Sequence, residues 1–256
     1  MIKIKTPKDI ETLREGGKRL AQILHAVSLE VKVGVSTDFL NNKAEELIRA
    51  GGDRAAFLNY QPKGASRPYP ASLCVSVNDE VVHGIPNEKP KIIKDGDVVS
   101  LDLGLTHNKL ITDHAITVIA GKADSKTEKL LKITREALYV GIDAAKAGAR
   151  TGDIGFAIES FVKPHKFGII EELAGHGVGY EVHEDPFVPN YGNKGEGVLL
   201  KAGMVIAIEP MLTLGRPDVY IAKDGYTFKT KDKSLAAHFE HTIVITEKGA
   251  EILTML

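Results

Sequence analysis

The sequence predicts an α+β fold: one domain of mixed helix and largely antiparallel sheet. Segments with apolar residues at helical spacing come in two pairs, and short β-branched runs follow each pair. The two halves repeat this rhythm after about 120 residues, which hints at a pseudo-repeat although no sequence identity between the halves carries one. No linker or low-complexity stretch interrupts the chain, so residues 1–256 read as a single domain.

Thr6-Pro7-Lys8-Asp9 opens the first helix, with Thr6 as N-cap, Pro7 in the first turn and Asp9 at the positive end of the dipole. Ile10, Leu13, Leu20, Ile23, Leu24 and Val27 carry it to about Leu29. Ser36 or Thr37 starts a second helix through Leu40, Ala44, Leu47 and Ile48, ending at Gly51-Gly52. Residues 57–71, rich in Pro, Gly and Tyr, read as loop, and Leu73–Val77 as a short strand turned at Asn78-Asp79-Glu80. Val98–Ala115 reads as a hairpin with His107-Asn108 at its tip, running on to a strand end near Ala120-Gly121. Helices over 126–147 and from Thr151 or Asp153 to about His165 make the second pair. Ile169-Ile170, Met204–Leu214, Tyr226–Lys229 and His238–Thr246 are the remaining strand candidates.

Composition narrows the function. A net charge of −1, from 33 basic and 34 acidic residues without a polybasic block, gives no nucleic-acid or membrane-surface signature. No apolar run approaches the ~20 residues of a membrane span, and the N-terminus lacks a signal-peptide pattern. A single cysteine, Cys74, rules out an intrachain disulfide and fits a reducing compartment. The expectation is a soluble cytoplasmic protein.

The chemistry concentrates in carboxylates set among apolar residues. With His107-Asn108 at the tip, the hairpin VVSLDLGLTHNKLITDHA pairs Thr106 with Lys109 and sets Asp102 opposite Asp113. Two facing carboxylates repel, and burying either unpaired is costly, so a cation between them is the economical solution; a solvated acidic face is the other. Glu209 ends an apolar strand and is followed by Pro210. Glu240 enters a β-branched run, a setting that suits an edge-strand salt bridge equally well. Gly175–His183 (GHGVGYEVH) holds two histidines among three glycines, a pattern that a surface loop also shows. Taken together, two Asp, two Glu and one or two His in strand-like settings match two divalent cations with oxygen-rich ligation, as Mn, Fe, Co or Mg prefer. Such a pair activates water and clamps a tetrahedral intermediate, so the chemistry points to metal-assisted hydrolysis. Cys74 beside a histidine could form a nucleophilic pair, but inside a strand it reads better as a small buried hydrophobe.

The ordered motifs VVHGIP (81–86), DxG with TDHA (102–115), GHGVGYEVH (175–183), IEPML (208–212) and FEHTIVIT (239–246) closely resemble those of type I methionine aminopeptidases, over essentially the whole chain. Each motif alone is modest; five in this order are specific. The resemblance implies the pita-bread fold: pseudo-two-fold halves and a curved antiparallel sheet flanked by helices, with metals between the halves. It implies two divalent ions (Co, Mn, Fe or Zn) held by Asp102, Asp113, His176, Glu209 and Glu240, with Asp113 and Glu240 reaching both. Glu209 would also accept and pass on a proton of the attacking water. His183 would help stabilise the tetrahedral oxyanion, and His83 would contact the peptide at the scissile bond. Tyr69, Cys74 and Tyr226 would line the methionine side-chain pocket, Tyr226 standing where the family often has Trp. Leu173, Asp79-Glu80 and the tip His107-Asn108 also depart from the family's usual pattern, and none is a proposed ligand. The absence of a type II insertion and of an N-terminal zinc-binding extension suggests a minimal, bacterial-type enzyme.

The implied activity is removal of the initiator methionine from nascent polypeptides with a free N-terminus and a small second residue. The ribosome is a candidate partner and a monomer is expected. Two rivals remain: a non-catalytic pita-bread binding protein, which would have lost ligands, and a proline-directed aminopeptidase or prolidase relative.

Overall fold

The two helix pairs are set by their caps. The computed structural model describes residues 2–256. Helix α1 (Pro7–Ser28) begins at Thr6, whose hydroxyl accepts from the Asp9 N–H while the Asp9 carboxylate accepts from the Thr6 N–H, a reciprocal capping box. Helix α2 (Thr37–Ala50) is capped by Ser36 and closed at Gly51, as its sequence predicts. Helices α3 (Ser125–Ala144) and α4 (Thr151–Val162), the latter followed by a 3₁₀ turn at Lys163–His165, form the second pair.

Between and after them run fifteen strands among the described residues. In the first half these are β1 (Arg54–Ala55), β2 (Cys74–Val77), β3 (Glu80–Val82), β4 (Val98–His107) and β5 (Leu110–Ile119). The second half adds β6 (Gly168–Ile169), β7 (Gly175–Gly177), β8 (Glu184–Val188), β9 (Val205–Ile208), β10 (Met211–Thr213), β11 (Val219–Ile221), β12 (Phe228–Thr230), β13 (Ala236–His238), β14 (Glu240–Thr246) and β15 (Gly249–Ile252). The main antiparallel sheet runs β1-β4-β5-β14-β9-β7-β8, with β2 added on β4 and β15 on β14. Strands of the two halves meet at its centre, where β5 pairs with β14. This is the curved, helix-flanked sheet of the pita-bread fold.

Each helix pair seals part of one face. Leu20, Leu24 and Leu40 pack with Leu101, Leu103 and Leu105 of β4, and Leu130, Leu138, Ile154 and Ile158 pack with Ile206, Ile208 and Ile243. Along β4 the alternation therefore sends three leucines to the helices and Ser100, Asp102 and Gly104 to the opposite face. That opposite face carries the carboxylates.

The hairpin register differs from the one the sequence suggests. Asp102 pairs with Ala115 and Asp113 with Gly104, because the two turn residues are Asn108 and Lys109, not His107 and Asn108. Both have positive φ (48° and 72°), as a two-residue type I′ turn requires, and Asn tolerates that region. The shift is of two residues, so it preserves the face. Asp102 and Asp113 become diagonal neighbours on one face, and Gly104 leaves space that Phe57 fills: a Cβ there would lie 2.6 Å from the Phe57 ring. Two predicted strands are also each divided. Met204–Leu214 breaks at Glu209-Pro210, and His238–Thr246 breaks at Phe239.

Candidate metal centre and active site

One cavity on the face away from the helices is lined by all ten residues singled out from the sequence: Tyr69, Cys74, His83, Asp102, Asp113, His176, His183, Glu209, Tyr226 and Glu240. Asp102 comes from β4 and Asp113 from β5. Glu240 begins β14, His176 sits in the middle of β7, and Glu209 follows β9, where Pro210 ends the strand. Ligand atoms of Asp113, His176 and Glu240 lie within 4.8 Å of one another, close enough to share a cation. His176 Nε2 is 3.5 Å from Glu209 Oε1.

The backbone holds these side chains tightly. The Thr242 hydroxyl accepts from the Asp113 N–H at 2.8 Å and donates to the Asp113 carbonyl at 2.7 Å, tying β14 to β5 beside the site. His176 donates its Nδ1–H to the Gly177 carbonyl at 2.9 Å, because a carbonyl can only accept. Its Nε2 lone pair is thereby left for a cation, the usual arrangement of a metal-binding imidazole. The strand read as a glycine-rich loop exists because backbone passes close on both sides. A Cβ at Gly175 would lie 2.2 Å from the Ala207 carbonyl oxygen, and one at Gly177 2.2 Å from that of Asp185.

The electrostatics suit a cation. Asp102, Asp113 and Glu240 are nearly inaccessible (7%, 3% and 2% exposed), and no Lys or Arg pairs with any of the four carboxylates among the described residues. Burial, followed by the neighbouring carboxylates, raises Asp102 and Glu240 well above the usual range and brings Asp113 up to about 7. Burial takes Glu209 up to about 8. Asp102 Oδ1 and Glu240 Oε1 are buried without a hydrogen-bond partner. Buried orphan oxygens are uncommon, and a set of carboxylates with one imidazole is a donor set for hard or borderline divalent ions, so the residues fit a metal centre.

A pH dependence follows from these directions. A carboxyl whose pKa is raised must give up its proton before it can ligate, so metal affinity climbs with pH. The expected result is a gain in Mn affinity as pH rises from 6 to about 8, the range set by Asp113 and Glu209, with proton release on binding. Calorimetry in buffers of different ionisation enthalpy measures both. An affinity unchanged over that range would contradict the assigned protonation.

Beside the carboxylates the cavity turns apolar. Phe57, Tyr69, Cys74, Ile85, Val182 and Tyr226 form a buried cluster, with the Tyr69 and Tyr226 rings edge-to-face at 5.2 Å. The Tyr69 hydroxyl donates to the Gly84 carbonyl at 2.9 Å. His83 and His183 also line the cavity. His83 has φ of 58°, an uncommon conformation for a non-glycine residue, and burial lowers its pKa to about 4. The His183 ring lies 4.4 Å from the His176 ring, and its Nδ1 is 2.9 Å from the Tyr60 hydroxyl.

Sequence reasoning missed several neighbours. Tyr60 and Phe57 line the same cavity but fall in the segment read as plain loop; its tyrosines were the available signal. His114 and His241 follow Asp113 and Glu240 directly and point to the helix face, where their rings stack at 4.6 Å and His114 Nδ1–H donates to the Glu240 carbonyl. His238 approaches Glu209.

Comparison with known proteins places these features among relatives. The model of metallopeptidase family M24 matches residues 11–247. A methionine aminopeptidase of Aquifex aeolicus is 48% identical over 100% of this chain and 99% of its own length. The crystal structure of a methionine aminopeptidase from Thermotoga maritima superposes with a TM-score of 0.94 at 42% identity, covering 100% of both chains. The prolidase from Pyrococcus furiosus superposes with a TM-score of 0.76 at 27% identity, covering 99% of this chain but 65% of that one.

Proposed function

The chain belongs to metallopeptidase family M24, and from that premise we propose that it is a methionyl aminopeptidase, removing the initiator methionine from polypeptides with a free N-terminus and a small second residue. The observation that carries this reading is the cavity itself. A cluster of four carboxylates and His176 opens directly onto an apolar pocket walled by two tyrosines and a buried thiol. Aromatic and sulfur walls suit a thioether.

Asp102, Asp113, His176, Glu209 and Glu240 would hold the divalent metal, as two ions of Co, Mn, Fe or Zn. When bound, the metal supplies Lewis acidity, polarising the scissile carbonyl and lowering the pKa of water. The remaining work falls to the chain. Glu209 takes the proton of the attacking water on a carboxylate oxygen and delivers it to the leaving amine. Tyr60, a phenol that burial keeps protonated, donates to His183 Nδ1. That leaves His183 Nε2–H as a donor for the carbonyl oxygen as it gains charge. His83, held by its unusual backbone, contacts the peptide at the scissile bond. Tyr69, Cys74 and Tyr226, with Phe57, receive the methionine side chain. An N-formyl group would block the free amine, so deformylation has to come first. Residues 1–256 act as one catalytic domain, monomeric and cytoplasmic, with nascent chains at the ribosome as the source of substrate. No helix of the described residues is long and apolar enough to cross a membrane.

Parallel assays of Met-Ala-Ser and of Xaa-Pro dipeptides test the substrate class. Release of methionine from the tripeptide, with little or no turnover of Xaa-Pro, is expected. The reverse preference would turn the assignment to a proline-directed enzyme, and no turnover of either by metal-loaded protein would turn it to a binding protein.

A further inference from the structure

His238 ends β13 and is 1% exposed, yet neither ring nitrogen has a hydrogen-bond partner in the ordinary geometric sense. A buried imidazole with both nitrogens unsatisfied calls for a reason. Its Nε2 lies 3.3 Å from Glu209 Oε2, while the other oxygen of that carboxylate, Oε1, is 3.5 Å from His176 Nε2. Glu209 thus stands between two imidazoles, one in the cavity wall and one behind it.

The placement of His238 is fixed independently of Glu209. Its backbone N–H donates to the Thr117 hydroxyl at 3.0 Å, and that hydroxyl donates to the His238 carbonyl at 2.6 Å. The pairing of β10 with β13 sets His238 opposite Met211, two residues beyond Glu209. The ring therefore approaches Glu209 on a rigid frame.

We propose that His238 is a positioning residue for the reaction, donating its Nε2–H to Glu209 Oε2 and so holding Oε1 toward the cavity. This rests on the reading of Glu209 as metal ligand and proton carrier. The alternative tautomer would set the Nε2 lone pair against carboxylate lone pairs and bury an N–H at Nδ1 with nothing to accept it. With Nε2 protonated, only one acceptor, Nδ1, stays unpaired. The carboxylate then loses the freedom to rotate about its Cγ–Cδ bond, and the oxygen facing the cavity is the same in every molecule. No proton leaves His238 in this role.

Three variants test it: His238→Leu, which removes the donor; His238→Gln, whose amide can place a donor at similar reach; and His238→Asn, whose amide is one methylene short. Each is measured for kcat and KM on Met-Ala-Ser, for Mn affinity by calorimetry without substrate, and for Tm. Partners that orient metal ligands typically contribute about 10–100-fold to affinity or activity, so His238→Leu and His238→Asn should lose kcat and Mn affinity by about that factor, with KM little changed. His238→Gln should recover most of both. The Tm of each metal-free variant shows that it is folded, so that losses of kcat and Mn affinity are read on folded protein. Parental kcat and Mn affinity in His238→Leu would overturn the proposal. So would a His238→Gln as impaired as His238→Asn at equal Tm, a comparison that stands even if the leucine variant does not fold. Should the parent protein cleave no Met-Ala-Ser, the proposed function fails, while the calorimetric comparison still decides the role of His238.

Discussion

Glu209→Gln, loaded with the same metal as the parent, is expected to lose Met-Ala-Ser turnover by about 10²–10⁴-fold, the usual range for removing a positioned general base. The substitution preserves size and keeps one carbonyl oxygen, so the pocket and its neighbours stay in place. What it removes is the site that accepts a proton. In the metal-free site burial raises its pKa to about 8, so this carboxylate holds a proton more readily than an exposed one. The effect should appear in kcat, with KM changed far less. Parental kcat in the metal-loaded variant would remove Glu209 from the proton path.

Asp113→Asn should strike the metal rather than the proton. Asp113 of β5, His176 of β7 and Glu240 of β14 bring ligand atoms within 4.8 Å of one another. An amide in its place supplies no negative charge to offset a divalent ion. The variant should therefore lose bound metal, lose the Tm increase that metal gives the parent, and lose turnover with it. Without metal the comparison should reverse. Asp113 is costly to ionise in its buried setting, its pKa raised to about 7 by burial and by Glu209, so the metal-free variant at pH 8 should be at least as stable as the metal-free parent. Thermal unfolding with and without Mn, metal analysis and a Met-Ala-Ser assay together read all four effects. A metal-dependent Tm shift as large as that of the parent would contradict the assigned ligand.

The helices were legible because their signals are local. Thr6 with Asp9, Ser36 and Gly51 act within a turn of themselves, and the structure uses each one. The carboxylates were legible because a charged residue inside a β-branched run conflicts with its surroundings whatever the tertiary structure. The hairpin shows the limit. Its tip moved by one residue because Asn108 and Lys109 both take positive φ, and the register moved with it; the shared face survived only because the shift was even. Strand β7 could not be read at all. Gly-His-Gly has little strand propensity, and it becomes a strand only because β8 and β9 close over it. His238 depends on contacts more distant still. It meets Glu209 only through the pairing of β10 with β13, which no local pattern announces. Tyr60 is similar: its partner His183 is 123 residues away.

The central claim is that this carboxylate-rich site works through bound divalent metal on a methionine N-terminus. Its most direct test is hydrolysis of Met-Ala-Ser by metal-free enzyme titrated separately with Mn, Fe, Co and Zn. The account predicts negligible turnover without metal and a saturable return of methionine release with at least one of these ions. Full turnover by the metal-free protein, or none with any of the four in folded protein, would contradict it.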